Sequence, residues 1–275
     1  KIIKGDNIKA MEQAAKPELM RKNLGVKMIR RANSIGHHYF IANLTSKDIA
    51  SSVALAVNEK YGIWYNPMTG EYHEATIGDK GIQLNLKSGE SRILITSNKT
   101  VNEWKLGSKV KVGGKEAIAA ADSKTIDLTA NTWKLSFTED APKVGETFNL
   151  KGLKTWEILS EKAKVMMGTG VYETTIKLSK DDAKKQWLID LGDVRESARV
   201  YINNKYVGCA WAVPYILNCK DAFNKGKNIL RIEVTNLPAN RIAEMDRQGV
   251  KWRKMKEINV VDINYKKTTY ENWTP

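Results

Sequence analysis

The stretch Ala198-Arg199-Val200-Tyr201-Ile202-Asn203-Asn204-Lys205-Tyr206-Val207-Gly208 reads as two short strands folded back on one another. Ala198, Val200 and Ile202 alternate with Arg199 and Tyr201, which gives the first strand one apolar and one wet face. Asparagine tolerates the left-handed backbone region, so the Asn203-Asn204 pair can form a tight hairpin turn. The same period of two continues outward. On the C-terminal side, Asn224-Lys225-Gly226-Lys227-Asn228 turns the chain into Ile229 to Val234. On the N-terminal side, Trp187, Ile189 and Leu191 share a core face, Val171 to Leu178 follows a Gly168-Thr169-Gly170 loop, and Trp133, Leu135 and Phe137 alternate. Leu153 to Ile158, carrying Trp156, reads as a further strand. At least seven strands in about 130 residues, with no amphipathic helices between them, describe an antiparallel sandwich or jelly roll and exclude a parallel α/β architecture.

The first half has the same habit. Val26, Met28 and Ile29 lead through Asn33-Ser34-Ile35-Gly36 to His38-Tyr39-Phe40-Ile41-Ala42, a hairpin. Ile63-Trp64-Tyr65 is stopped by Asn66-Pro67-Met68-Thr69-Gly70, where proline presets the turn. Ile82, Leu84 and Leu86 alternate with Gln83, Asn85 and Lys87, and Ser88-Gly89-Glu90 turns the chain into Arg92 to Thr96. Ahead of these strands, Ala10, Met11, Ala14, Ala15, Leu19 and Met20 form a short helical pattern interrupted at Pro17. The expected architecture is therefore all-β: a helical segment over 1–25, a β-sandwich over 26–128, a jelly roll over 129–265 and a tail over 266–275.

Composition bounds the function classes. A chain of 275 residues with 42% hydrophobic residues can bury two ordinary cores, so disorder is excluded. No stretch approaches the roughly 18 apolar residues that cross a bilayer, and no membrane partner or targeting address is expected. Cys209 and Cys219 match no metal-ligand spacing and read as buried free thiols, with one bridge open to an exported protein. The formal net charge of +14 favours an anionic partner: nucleic acid, an acidic glycan or a charged surface.

Catalytic signatures are missing. Gly89-Glu90-Ser91-Arg92-Ile93 lacks the closing glycine of a nucleophile elbow. Gly168-Thr169-Gly170 has Glu173 where a phosphate fingerprint needs its third glycine, and it precedes a strand rather than a helix. His37 and His38 point to opposite faces of a strand, His73 stands apart, and Asp181, Asp182 and Asp190 lack calcium-loop spacing. No metal and no cofactor is expected. A glycosidase needs only two carboxylates, but on a rigid scaffold with a deep cleft, such as a βα barrel, for which there is no alternation here.

What remains is a set of aromatics among polar groups: Trp156, Tyr201, Tyr206, Trp211, Tyr215 and Trp252. A sugar ring needs a flat aromatic surface beside amide, guanidinium or carboxylate groups. Trp211 to Tyr215 and Asn236 to Arg241 supply both kinds. The candidate site is Trp211 and Tyr215 as stacking platforms with Asn236, Asn240 and Arg241 as hydrogen-bonding partners. The basic stretch Arg241 to Glu257, with Trp252 among its charges, offers a rival nucleic-acid surface, although no recognised module accompanies it.

The series Gly170 to Thr175, Trp187 to Val194 and Ala198 to Asn204, followed by Gly208, Trp211, Pro214, Gly226 to Asn236 and Asn240-Arg241, resembles the sugar-binding jelly roll of family 2-like glycoside hydrolases. Lys16 to Glu18, Gly25 to Arg31, His38 to Asn43 and Trp64 to Gly70 look like the region after the catalytic barrel in family 106 α-L-rhamnosidases. The resemblance implies a bacterial polysaccharide-degrading parent, exported to the periplasm or cell surface, whose catalytic acids and bound calcium lie on a barrel. A barrel takes about 250 residues. The chain would then be a C-terminal fragment, inactive by itself, that braces or extends the glycan site of a missing catalytic domain. Its charge would suit an acidic rhamnose-containing glycan. The alternatives are a purely structural pair of sandwiches and nucleic-acid binding through 241–257.

Overall fold

The computed structural model describes residues 7–14, 16–68, 70–100, 103, 112–113, 124–219 and 221–250. The chain divides into two compact units, Lys1–Lys124 and Thr125–Pro275. In the first, helices α1 (Asn7–Ala14) and α2 (Leu19–Leu24) precede strands β1 (Lys27–Ala32), β2 (Gly36–Ala42), β3 (Ile49–Val53), β4 (Tyr61–Asn66), β5 (Glu71–Ala75), β6 (Ile77–Gly78), β7 (Gly81–Leu86), β8 (Ser91–Ser97) and β9 (Val112–Gly113). They form a six-stranded sheet, β1-β2-β8-β4-β5-β9, and a three-stranded sheet, β3-β7-β6. The alternation over 82–86 does what its period dictates: Ile82, Leu84 and Leu86 are buried and pack with Tyr39, Ile41 and Leu94 of the larger sheet.

Pro17 separates the two helices, and α2 is built into this core. Met20 is fully buried within it. The buried Glu18 carboxylate accepts from Arg30 Nη1 at 2.5 Å, Tyr39 Oη at 3.1 Å and the Ala56 amide at 3.0 Å. Burial and the neighbouring Glu18 charge push the Tyr39 phenol up, so it stays a donor.

The second unit contains β10 (Thr132–Ala141), β11 (Phe148–Lys151), the short helix α3 (Glu161–Lys164), β12 (Met167–Leu178), β13 (Leu188–Asp190), β14 (Ser197–Ile202), β15 (Lys205–Ala210), β16 (Ile216–Asn218), β17 (Gly226–Thr235) and helix α4 (Ala239–Arg247). Its six-stranded sheet runs β11-β10-β12-β17-β14-β15, and the pair β13-β16 covers one face. Between them lie Trp133, Leu135, Ile176, Val200, Ile202 and Leu230, with Trp187, Ile189 and Leu217 at the margin. Asn203 and Asn204 take φ of 52° and 65°, the left-handed turn expected of them. Both units are thus layered β-structures. Among the described residues every strand pair is antiparallel except the two-residue contact of β5 with β9.

Three local expectations are corrected. Leu153 to Ile158 is not a strand; Trp156–Ile158 is a single 3-10 turn. The Trp156 indole leaves the ladder to lie over Gly170, donating from Nε1 to Tyr172 Oη at 2.6 Å and meeting Phe137 edge-on at 5.2 Å. Correspondingly, Gly168-Thr169-Gly170 is no loop but the start of β12, its lack of Cβ at Gly170 making room for that indole. Finally, helix α4 follows β17 where only a polar segment was read. It inserts Ala243 against the unit behind Pro238, a residue suited to a helix start.

Candidate functional site

Strand register decides which of the expected residues can act together. Ala198 of β14 pairs with Val234 of β17 on one side and Ala210 of β15 on the other, and Ser197 pairs with Thr235. Trp211 and the segment 236–241 therefore leave the sheet at the same end. Two strand spacings separate them there, about 10 Å.

At that end the five residues do different things. Trp211 is 62% exposed and presents its ring to solvent. Tyr215 is only 7% exposed, which corrects its reading as a stacking platform. Its phenol donates to the Arg195 carbonyl and its own carbonyl accepts from the Leu191 amide at 3.0 Å, so it fastens the loop after β13 to the loop after β15. Burial, with Asp193 and Glu196 nearby, pushes that phenol up and keeps it a donor. The Asn236 side chain accepts from the Gly168 amide at 2.9 Å and donates to the Met166 carbonyl at 3.0 Å, a clamp across the start of β12. Asn240 and Arg241 sit in the first turn of α4, half-buried, and neither side chain has a hydrogen-bonding or ionic partner among the described residues.

A second feature was not foreseen. The face of the six-stranded sheet turned away from the core is assembled in ranks by the register: Lys134, Glu173, Arg231, Tyr201 and Tyr206 in one, Ser136, Val171, Glu233 and Arg199 in the next. From these ranks Glu173, Arg231, Ser136, Val171, Glu233 and Arg199, with the adjoining Thr138, Glu139 and Thr169, enclose a shallow hollow of about 390 Å³. Glu233 lies between the two arginines, 3.6 Å from Arg231 Nη2 and 3.7 Å from Arg199 Nε, beyond ordinary hydrogen-bond reach. The Arg231 guanidinium sits 4.2 Å over the Tyr201 ring, and the Tyr206 ring follows at 5.4 Å. Arg231 Nε is buried with no acceptor among the described residues. In the sequence these side chains are merely the wet halves of alternating strands, and only register brings them together.

The remaining candidates lie elsewhere. His37 bonds Glu59 at 2.6 Å, His38 approaches the Asn33 amide at 3.3 Å, and His73 lies 3.8 Å from Glu71. Among the described residues no three metal-binding side chains converge. Cys209 and Cys219 are free thiols, the second buried. In the basic segment, α4 interleaves Glu244 and Asp246 with Arg241 and Arg247, and Arg247 pairs with Glu244. Trp252 and the rest of 251–257 lie outside the described residues.

Comparison with known proteins matches part of the second unit to a domain type. Residues 160–274 fit the model of the glycosyl hydrolase 2 galactose-binding domain-like family. A curated relative named "Putative beta-glucuronidase", from Formosa agariphila, is 28% identical over 70% of this chain and 18% of its own length. The rhamnosidase structure from Novosphingobium sp. PP1Y superposes with a TM-score of 0.59 at 21% identity, over 82% of this chain and 21% of that one. The chain thus spans about a fifth of the length of these relatives. The rhamnosidase shares the fold over most of the chain, and residues 160–274 are similar to the galactose-binding-like domain of glycosyl hydrolase 2 proteins.

Proposed function

We propose that this chain is the non-catalytic, carbohydrate-associated part of a larger α-L-rhamnosidase-like glycoside hydrolase of the family 106 kind. In this reading it braces or extends the glycan site of a catalytic barrel elsewhere in the same polypeptide, and the parent acts in the periplasm or at the cell surface of a bacterium. The observation that carries the reading is the exposed Trp211 at the same end of a galactose-binding-like domain as Asn240 and Arg241, whose polar groups have no partner among the described residues. An indole offers a sugar the apolar surface its C–H face needs, and the amide and guanidinium offer donors for its hydroxyls. The charge of +14 raises the encounter rate with an acidic rhamnose-containing glycan in a salt-sensitive way.

Calorimetric titration with rhamnose-containing oligosaccharides tests this. Trp211→Ala is expected to weaken binding roughly tenfold, the worth of one stacked ring. Hydrolysis of rhamnosides by the isolated chain, or unaltered affinity in Trp211→Ala, would overturn it. A purely structural pair of sandwiches is the second reading, favoured by the internal bonding of Tyr215 and Asn236. It predicts no sugar binding by the wild-type chain.

A further inference from the structure

We infer that the outward face of the six-stranded sheet in the second unit is a second carbohydrate site, separate from the sandwich end, and that it takes a neutral rather than an acidic sugar. The chemistry begins with Glu233 and its two arginines. At 3.6 and 3.7 Å neither pair closes a hydrogen bond, so the carboxylate keeps accepting capacity and both guanidinium groups keep donors. A buried N–H without an acceptor, as at Arg231 Nε, is rare in folded proteins and marks this guanidinium as incompletely paired. Adjacent sugar hydroxyls each donate and accept, and an acceptor standing beside a donor is what such a pair requires. Ser136 and Thr138 add hydroxyls on the neighbouring strand.

An aromatic surface lies beside the hollow, outside its lining. The Arg231 guanidinium covers Tyr201, but Tyr206, next along the same rank, is 55% exposed and offers a free ring for the C–H face of a pyranose. A second hollow shares Glu173 and continues along β12 as far as Thr175. From Thr169 to Thr175 the floor is about 20 Å long, room for a short oligosaccharide.

Other occupants fit less well. Across the two hollows Glu139, Glu173 and Glu233 balance Arg199, Arg231 and Lys134, so a uronate, phosphate or nucleic acid finds no net positive charge to draw it. Addition of a peptide strand requires a free sheet edge, whereas β12 and β17 are interior strands with both ladders occupied. The lining offers little besides Val171 for an apolar protein contact.

The test is an amide NMR titration of the full chain with rhamnose, galactose, a neutral galactose disaccharide and galacturonate. Saturable shifts are expected at residues 136–139, 169–173 and 231–233 with the neutral sugars. Galacturonate is expected to bind no more tightly than galactose, and Tyr206→Ala to weaken galactose roughly tenfold. Arg231→Met should abolish the shifts, while Tyr206→Ala, at an exposed ring, keeps the test valid if that variant misfolds. Trp211→Ala should leave these shifts intact, which separates this site from the sandwich end. No saturable shift at these amides with any neutral sugar, tighter binding of galacturonate than galactose, or insensitivity to Tyr206→Ala would overturn the inference.

Discussion

Asn236 is the residue at which a ligand role and a structural role predict opposite results. Its side chain accepts from Gly168 N at 2.9 Å and donates to Met166 O at 3.0 Å, while its own amide donates to the Gly168 carbonyl at 3.2 Å. Asn236→Ala keeps the last bond and removes the first two. Each net hydrogen bond is worth about 1 kcal/mol, and a donor or acceptor left without a partner costs about 1–3 kcal/mol according to how much water reaches it. The site is half-buried, so a loss of about 3 kcal/mol is expected. For a unit of about 150 residues that lowers the melting temperature by about 6–12 °C. Asn236→Asp separates the two bonds: it retains the acceptor facing Gly168 but sets an anionic oxygen against the Met166 carbonyl. That carboxyl is stabilised in its protonated form, so its folded pKa lies above the unfolded value near 3.9. The variant should therefore be most stable below about pH 4 and lose stability as pH rises through the folded value. Denaturant titration and scanning calorimetry measure both effects. A loss below about 0.5 kcal/mol for Asn236→Ala, accompanied by weaker sugar binding, would refute the clamp and return Asn236 to the ligand site.

Two further outcomes follow from the second core. A Cβ at Gly170 would stand 2.5 Å from Trp156 Cζ2, so Gly170→Ala should expel the indole, break its 2.6 Å bond to Tyr172 and destabilise the unit by about 1–3 kcal/mol; an unshifted unfolding curve would contradict the packing. Burial pushes the Cys219 thiol up to about 11, so it should resist alkylation in the native chain and react on unfolding. Because the folded value is raised, its contribution is complete below about pH 9 and is lost as pH rises through about 11, a slope that Cys219→Ala should remove.

The fold was legible wherever a residue's role depends on its immediate neighbours in the chain. Ala198, Val200 and Ile202 are core because they alternate, and Asn203-Asn204 turns because asparagine tolerates positive φ; no distant partner is needed to decide either. Trp156 marks the limit. Its placement depends on Gly170 and Tyr172, which reach it only after β12 has paired, and so a strand was read where the chain makes a 3-10 turn. Helix α4 was missed for a related reason. Its nine residues carry too few apolar positions to outweigh the charges around them, and it is held by what it packs on.

The site divides along the same line. Trp211 and Tyr215 stand in the same turn-rich segment and look alike in the sequence; the structure exposes the first and buries the second, whose partner, the Arg195 carbonyl, comes from another loop. The outward sheet face is the extreme case. Arg199, Arg231, Glu233 and Glu173 lie on three strands, separated by up to 60 residues, and each is an unremarked polar position in its own strand. An antiparallel ladder turns them into neighbours about 5 Å apart, and from that spacing comes the incomplete pairing that leaves Arg231 Nε without an acceptor. Recognition chemistry on a sheet face is thus a property of register, since a slip of one residue would send every one of these charges into the core and the apolar ranks to solvent. The buried faces of β12, β14 and β17 hold that register, which makes the packing of Leu230, Val200 and Ile202 a condition for the polar site on the opposite side.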